Sequence, residues 1–209
     1  MQGGALNEMY SQDMEEEIVL SVFGDFVGRF LDIGAYDGIT LSNTYELLRR
    51  GWSGIAVEPS PRSAFEWIRN LGSNDRVKLV LAACYPSNGW VRFLECSDSS
   101  VSTSVPEHKE IWSGAGSYAP IEVLGITPRK ICDRFGSFDF VSIDAEGISE
   151  DILMEYPIED MAPRLFCVET DGGLSMDRME SYLRDRGFVG FWRTPNNLLA
   201  MRGDPISFV

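Results

Sequence analysis

Histidine is almost missing from this chain: His108 is the only one in 209 residues. A Ser-His-Asp or Cys-His hydrolytic machine would have to run through that single ring, which stands in a serine-rich stretch unlike any nucleophile elbow. Cysteine is sparse as well, with Cys84, Cys96, Cys132 and Cys167 and no C-x-x-C pair. That spacing argues against a zinc site. Cys84, Cys132 and Cys167 lie in apolar stretches and read as reduced thiols acting as small hydrophobes. No apolar run approaches the roughly 18–20 residues of a membrane helix, and Met1–Tyr10 lacks the basic start and apolar stretch of a signal peptide. The expectation is a cytoplasmic chain without membrane insertion. Positive charge is scarce too: 18 Lys and Arg stand against 32 Asp and Glu, a net charge of -14. The densest basic spots, Arg49-Arg50 and Arg129-Lys130, are only pairs. Such a chain repels polyphosphate, so the expected partner is a small-molecule acceptor and not nucleic acid.

What is present is the composition of an ordinary globular chain, 44% hydrophobic and 24% charged, of a length that fits one domain over 1–209. A helix is expected over about 12–23, within an N-terminal region 10–23, with Asp13 and Glu16 as its capping box. Arg29 to Gly34 reads as a buried strand, Ser42 to Gly51 as a capped helix, Gly54 to Glu58 as strand, Arg62 to Leu71 as helix and Val77 to Cys84 as strand. This βαβαβ alternation predicts a parallel sheet with helices on both faces. Trp90 to Leu94 alternates like an edge strand, Phe138 to Asp144 and Leu165 to Glu169 return to buried strands, and a helix is expected from about Met176 to Arg186. Phe188 to Thr194 and Leu198 to Arg202 then read as an antiparallel hairpin across Pro195-Asn196-Asn197. The predicted fold is α/β and Rossmann-like: a seven-stranded, mostly parallel sheet ending in that hairpin. A closing antiparallel pair fits the S-adenosylmethionine-dependent methyltransferase version of the doubly wound fold better than the all-parallel dinucleotide version.

The turn after the first strand supports the same preference. Asp32, Gly34, Asp37 and Gly38 give D-x-G-x-x-D-G in place of G-x-G-x-x-G. A pyrophosphate needs bare backbone donors, whereas a sulfonium cofactor has a cationic amino acid end that a carboxylate helps to hold. Glu58, 20 residues past Gly38 at the end of the second strand, is placed to accept both hydroxyls of an adenosine ribose. A solvated strand-end carboxylate is the alternative. NAD would use the same carboxylate, so an NAD-dependent oxidoreductase, and a non-catalytic cofactor-binding module of the same fold, stay open on these residues alone.

Several segments taken together resemble the FkbM-type family of S-adenosylmethionine-dependent methyltransferases. They are Ser11-Gln12-Asp13, Phe30 to Gly38, Ser42-Asn43-Thr44, Gly51-Trp52-Ser53-Gly54, Glu58-Pro59 and Ser142 to Gly147. The resemblance spans about Tyr10 to Arg202, and Tyr36 departs from it where a smaller residue such as Asn is usual. It implies methyl transfer, usually to an oxygen of a sugar or of a polyketide- or lipid-type metabolite. It implies S-adenosylmethionine at Gln12, Asp32, Gly34, Ala35, Asp37, Gly38, Ser42, Asn43, Thr44, Glu58, Pro59 and Asp144, with Ala83 and Cys84 beside the adenine.

Asp144, Glu146, Glu169 and Asp171 form a second acidic group at the ends of strands that lie roughly 5 or 10 Å apart in a parallel sheet. Three roles are open. Asp144, with Glu146, is a catalytic base for an acceptor hydroxyl; Asp144, Glu169 and Asp171 hold a divalent ion such as Mg²⁺; or Asp144 merely caps a helix over Ser149 to Glu155. Ser97 to Ala119, with its hydroxyls, Trp112 and His108, is either a lid over the acceptor or a plain surface loop, and His108 either a base or a solvated residue.

Overall fold

The computed structural model describes residues 9–97, 102–105, 114 and 116–203. The first apolar run forms β1 (Arg29–Ile33) and the second β2 (Ser53–Glu58), paired in parallel from Arg29↔Ser53 to Ile33↔Val57. Around them a seven-stranded sheet has the order β3-β2-β1-β7-β8-β10-β9, with β3 Val77–Leu81, β7 Phe140–Ile143, β8 Leu165–Glu169, β9 Phe188–Arg193 and β10 Asn197–Arg202. Five adjacent strands pair in parallel, and β10 runs antiparallel to both β8 and β9, so it alone is reversed against the other six. The predicted parallel core with a closing hairpin is therefore what the chain adopts.

Alternation along the strands divides the core in two. Leu31, Ile33, Val141, Ile143, Phe166 and Val168 face α4 (Pro128–Phe135), α5 (Ser149–Glu155), α6 (Ile158–Met161) and α7 (Gly173–Arg184). Phe30, Phe140, Leu165, Cys167 and Leu199 face α1 (Glu15–Phe23), α2 (Tyr45–Arg49) and α3 (Pro61–Leu71). Burying both faces of strands this apolar is what a parallel sheet requires. The four cysteines are all buried and free, as small core residues.

Several boundaries differ from expectation. α1 starts at Glu15, and Asp13 does not cap it: the Glu16 N–H donates to Ser11 Oγ, while Glu16 Oε2 accepts from the Tyr10 N–H. The box has moved to the serine because a hydroxyl competes well for an orphan helix donor. Val77 to Cys84 is not one strand. It breaks at Ala82, and Ala83–Cys84 forms β4 of a second sheet ordered β4-β6-β5, with β5 Gly89–Cys96 and β6 Tyr118–Ile126. A continuous apolar run carries no mark of a change of partner. β6, α4 and α6 went unpredicted, and Tyr118 and Ala119 belong to β6 instead of the expected loop. α7 runs Gly173–Arg184, earlier at both ends than Met176 to Arg186. Asp144 does not cap α5, whose N-cap position is Ile148 and carries no side-chain cap.

Candidate active site

The C-terminal ends of β1, β2, β7 and β8 open into one cavity of about 400 Å³. This is the crevice where parallel α/β sheets bind ligands. The β1 end builds one wall by way of its glycine turn. Gly34 and Ala35 donate their N–H groups to Val57 O at 2.9 and 3.3 Å, fastening the turn to β2. Gly34 has φ +83, and a Cβ there would sit 1.6 Å from the Asp144 carbonyl oxygen, so only glycine lets β1 and β7 meet here.

Asp37 closes this turn: its Oδ1 accepts from the Ile39 and Thr40 N–H groups and its Oδ2 from the Thr40 hydroxyl. Gly38 (φ +80) packs against Trp67 and Leu71. Neither Asp37 nor Gly38 lines the cavity, so their part is to shape the loop. Thr44 is likewise behind the wall, donating to Asp32 Oδ2 at 2.6 Å, while Ser42 Oγ accepts from the Thr44 and Tyr45 N–H groups at the start of α2. Gln12, Asp32, Gly34, Ala35, Ser42, Asn43, Glu58, Pro59, Ala83, Cys84 and Asp144 all line the cavity.

Glu58 is buried at the β2 end, with Oε2 accepting from the Tyr36 N–H at 2.9 Å and Oε1 from the Ser60 N–H at 2.7 Å. Burial outweighs both hydrogen bonds and raises its pKa to about 8. Asp32, also buried, is raised to about 6 against the opposing pull of the Thr44 hydroxyl. Tyr36, Leu41 and Glu146 are the non-glycine residues with positive φ among those described, at 48, 56 and 27°, and all three line the cavity. Strained backbone concentrated in this way is characteristic of functional sites.

At the β7 and β8 ends, carboxylate oxygens of Asp144, Glu146 and Glu169 lie within 4.8 Å of one another. Ser149 Oγ bridges this group, accepting from the Ala145 N–H at 2.9 Å and donating to Glu169 Oε2 at 3.1 Å. Burial raises the pKa of both Asp144 and Glu169, the neighbouring carboxylates add to it, and the two share a hydrogen bond. Asp171 is outside this group, and Glu146 stands in the place expected for it. Part of the segment expected as lid or surface loop reaches the cavity: Ser102, Thr103 and Ser104 line it. Thr103 bridges to Leu94 and donates its hydroxyl to the Glu146 carbonyl at 2.6 Å. His108 and Trp112 lie outside the described residues. Phe93, Thr170 and Asn196 line the cavity without having been foreseen. The only signal was the Pro-Asn-Asn turn, which marks a bend and says nothing about what the bend approaches.

The cavity lining holds five carboxylates and, among the described residues, no lysine, arginine or histidine. Such a donor set fits a ligand carrying sulfonium and ammonium charges and fits a pyrophosphate badly. The fold is that of class I methyltransferases. Over 95% of this chain and 93% of the other, it superposes on precorrin-6y C5,15-methyltransferase from Geobacter metallireducens GS-15 with a TM-score of 0.55 at 13% identity. For ribosomal protein L11 methylase from Lactobacillus delbrueckii subsp. bulgaricus the values are 90% and 78%, 0.51 and 12%. A putative tRNA (m1A22) methyltransferase of Streptococcus pneumoniae gives 93% and 71%, 0.50 and 15%. None of the curated proteins compared matches in sequence. The model of the methyltransferase FkbM domain matches residues 32–189, and the chain belongs to that family of S-adenosylmethionine-dependent methyltransferases.

Proposed function

We propose that this methyltransferase acts on a hydroxyl oxygen of a small, carbohydrate-like or biosynthetic acceptor, with Asp144 as the group that takes the hydroxyl proton. The observation that carries this reading is the cluster of Asp144, Glu146 and Glu169 in the same cavity as Glu58 and the Gly34 turn. Bound S-adenosylmethionine supplies an electrophilic methyl on a cationic sulfur. The chain has to hold the acceptor in line and remove a proton.

Glu58 would hold the ribose hydroxyls, the Gly34–Ala35 backbone and Asp32 the amino acid end, and Ala83 and Cys84 one face of the adenine. Asp144 is a stronger base than an ordinary carboxylate because burial and Glu146 destabilise its charged form. Ser102, Thr103 and Ser104 offer hydroxyls to a polar acceptor from the facing wall. A metal-assisted variant rests on the spacing of the three carboxylates, which suits a hard divalent cation such as Mg²⁺. Asp144, Glu146 and Glu169 would be its ligands, and it would lower the pKa of the acceptor hydroxyl.

The test is release of S-adenosylhomocysteine across a panel of sugar alcohols, amines and carboxylates, repeated with chelator and with Asp144→Asn. Turnover confined to hydroxyl acceptors and lost in Asp144→Asn is the expected result. Turnover only on amines overturns the oxygen assignment, full activity in Asp144→Asn removes that residue from the chemistry, and full activity under chelator removes the metal.

A further inference from the structure

A second hollow, of about 560 Å³, opens at the opposite end of the same strands. It is lined by Arg29 at the start of β1, by Ser53 to Ile55 at the start of β2, by Arg76 and Lys78 at the start of β3, and by Arg134 and Phe135 at the end of α4. Gly34 and Glu58 lie four to five residues further along β1 and β2, about 15 Å away at the usual rise of a strand. The hollow is therefore separate from the methyl-transfer cavity.

Its charge is opposite to that of the molecule. Four cations face one acid, Asp75, in a chain of net charge -14. Elsewhere the arginines of the described residues are largely taken up by carboxylates, as in Arg129–Asp160, Arg178–Glu150 and Arg193–Glu180. None of the four cations here has a carboxylate within ion-pair distance among the described residues, although Asp139, which accepts from the Arg29 N–H, lies close by.

The four differ in what they have to offer. Arg29 is fixed, donating Nη1 to Ser137 O at 3.0 Å and Nη2 to Phe135 O at 2.8 Å, so it acts as an immobile positive charge at the floor. Arg76 spends Nη2 on Leu48 O at 3.1 Å and keeps its other donors. Lys78 and Arg134 are exposed at the rim, Lys78 being held in register beside Ile55 on the face of the sheet that α4 covers. The Ser53 and Gly54 N–H groups are already bonded to Gly28 O and Arg76 O, so recognition falls to the side chains. Two guanidiniums and an ammonium around a fixed charge suit an oxyanion of two or more charges, since guanidinium grips phosphate oxygens in pairs and the ammonium adds a point charge.

We propose that this hollow binds a phosphorylated small molecule, at a site distinct from the methyl-transfer cavity and independent of how that cavity is read. The sequence hides it because its cations lie apart, at positions 29, 76, 78 and 134, and none is in the two basic pairs that stand out along the chain.

Inorganic pyrophosphate is a suitable probe, because the carboxylate-lined cavity repels it. Calorimetric titration of the full chain at low salt is expected to show one site, unaffected by saturating S-adenosylhomocysteine. The double variant Lys78→Ala/Arg134→Ala, both rim residues, should weaken binding by about tenfold or more with an unchanged melting curve, whereas Lys130→Ala, removing a lysine outside the hollow, should not. Absence of pyrophosphate binding, or equal binding by the double variant, overturns the proposal. So does cosedimentation with phosphatidylglycerol vesicles without pyrophosphate binding, which would make the patch a lipid-facing surface.

Discussion

Glu58 and Tyr36 form the most informative pair of residues in the cavity. Tyr36 holds φ 48, a conformation that costs a side-chain-bearing residue roughly 1–2 kcal/mol, and in that conformation its N–H reaches Glu58 Oε2. The strain thus orients the carboxylate. Asparagine tolerates this region better, so Tyr36→Asn should raise the urea midpoint by an amount equivalent to up to about 1 kcal/mol, with affinity for S-adenosylhomocysteine kept. A lowered midpoint would show that the tyrosine ring contributes more than its backbone costs. Glu58→Ala removes a charge-assisted acceptor worth about 1.5–3 kcal/mol, so calorimetric affinity for S-adenosylhomocysteine should fall by about tenfold or more. With its pKa at about 8, Glu58 holds a proton at neutral pH in the free protein. A ligand that donates hydroxyl hydrogens and brings positive charge favours the ionised form, so binding should release a proton and tighten as pH rises from 6 to 8. Binding heats that do not change between buffers of different ionisation enthalpy would sink this.

The β9–β10 turn and α1 show how elements, more than single side chains, close the cavity. Glu15, fully buried in the first turn of α1, accepts from Thr194 Oγ1 at 2.6 Å, Asn197 Nδ2 at 3.0 Å and the Asp13 N–H at 2.8 Å. Asn196 in the same turn donates to Asp13 Oδ2 at 3.3 Å, and its carbonyl accepts from the Thr170 N–H at 2.9 Å. One carboxylate therefore joins the N-terminal segment, which carries Gln12, to the hairpin turn, which carries Asn196, and both residues line the cavity. Glu15→Ala leaves the buried Asn197 amide without its acceptor, at about 1–3 kcal/mol, and takes one acceptor from the part-buried Asp13 N–H and Thr194 hydroxyl. The expected result is a large loss of stability in urea titration, with amide exchange speeding up first at residues 11–16 and 194–197. Exchange that rises uniformly over the sheet would make Glu15 an ordinary core residue.

At the scale of the whole molecule the carboxylates set the pH dependence. Asp32 and Glu58 have folded pKa values of about 6 and 8, above the unfolded values of 3.8 and 4.5, so the folded chain holds protons that the unfolded chain has released. Stability from these groups is complete below about pH 4 and is lost as pH rises through 6 to 8. Glu150 and Glu180, lowered by the Arg178 and by the Arg184 and Arg193 guanidiniums respectively, act in the opposite direction, and only in acid. Between pH 5.5 and 8.5 the ligand-free protein should therefore become less stable, and saturating S-adenosylhomocysteine should reduce that slope. Urea midpoints at the two pH values check it, and a higher midpoint at 8.5 without ligand would contradict the raised values.

Local chemistry made much of this protein legible from its sequence. β1, β7 and β8 are short runs rich in large aliphatic and aromatic residues, and β2 is a run of small and aliphatic ones, all of which are buried on both faces. The glycine turn after Asp32, the Glu58 strand end and the final hairpin carry their geometry in residue type, and they were enough to reach the fold and the family. Tertiary structure decided what depends on partners far apart in the chain. It split Val77 to Cys84 between two sheets, because apolar residues do not encode which edge they pair with. It turned Asp37, Gly38 and Thr44 into supports behind the cavity wall, and it put Glu146 in place of Asp171 beside Asp144 and Glu169. It also brought Thr103 onto the Glu146 carbonyl and Asn196 onto the rim. Residue type specifies backbone conformation and burial over a few positions, whereas the direction in which a strand-end carboxylate points depends on packing between segments separated by tens of residues, as Thr103 and Glu146 are.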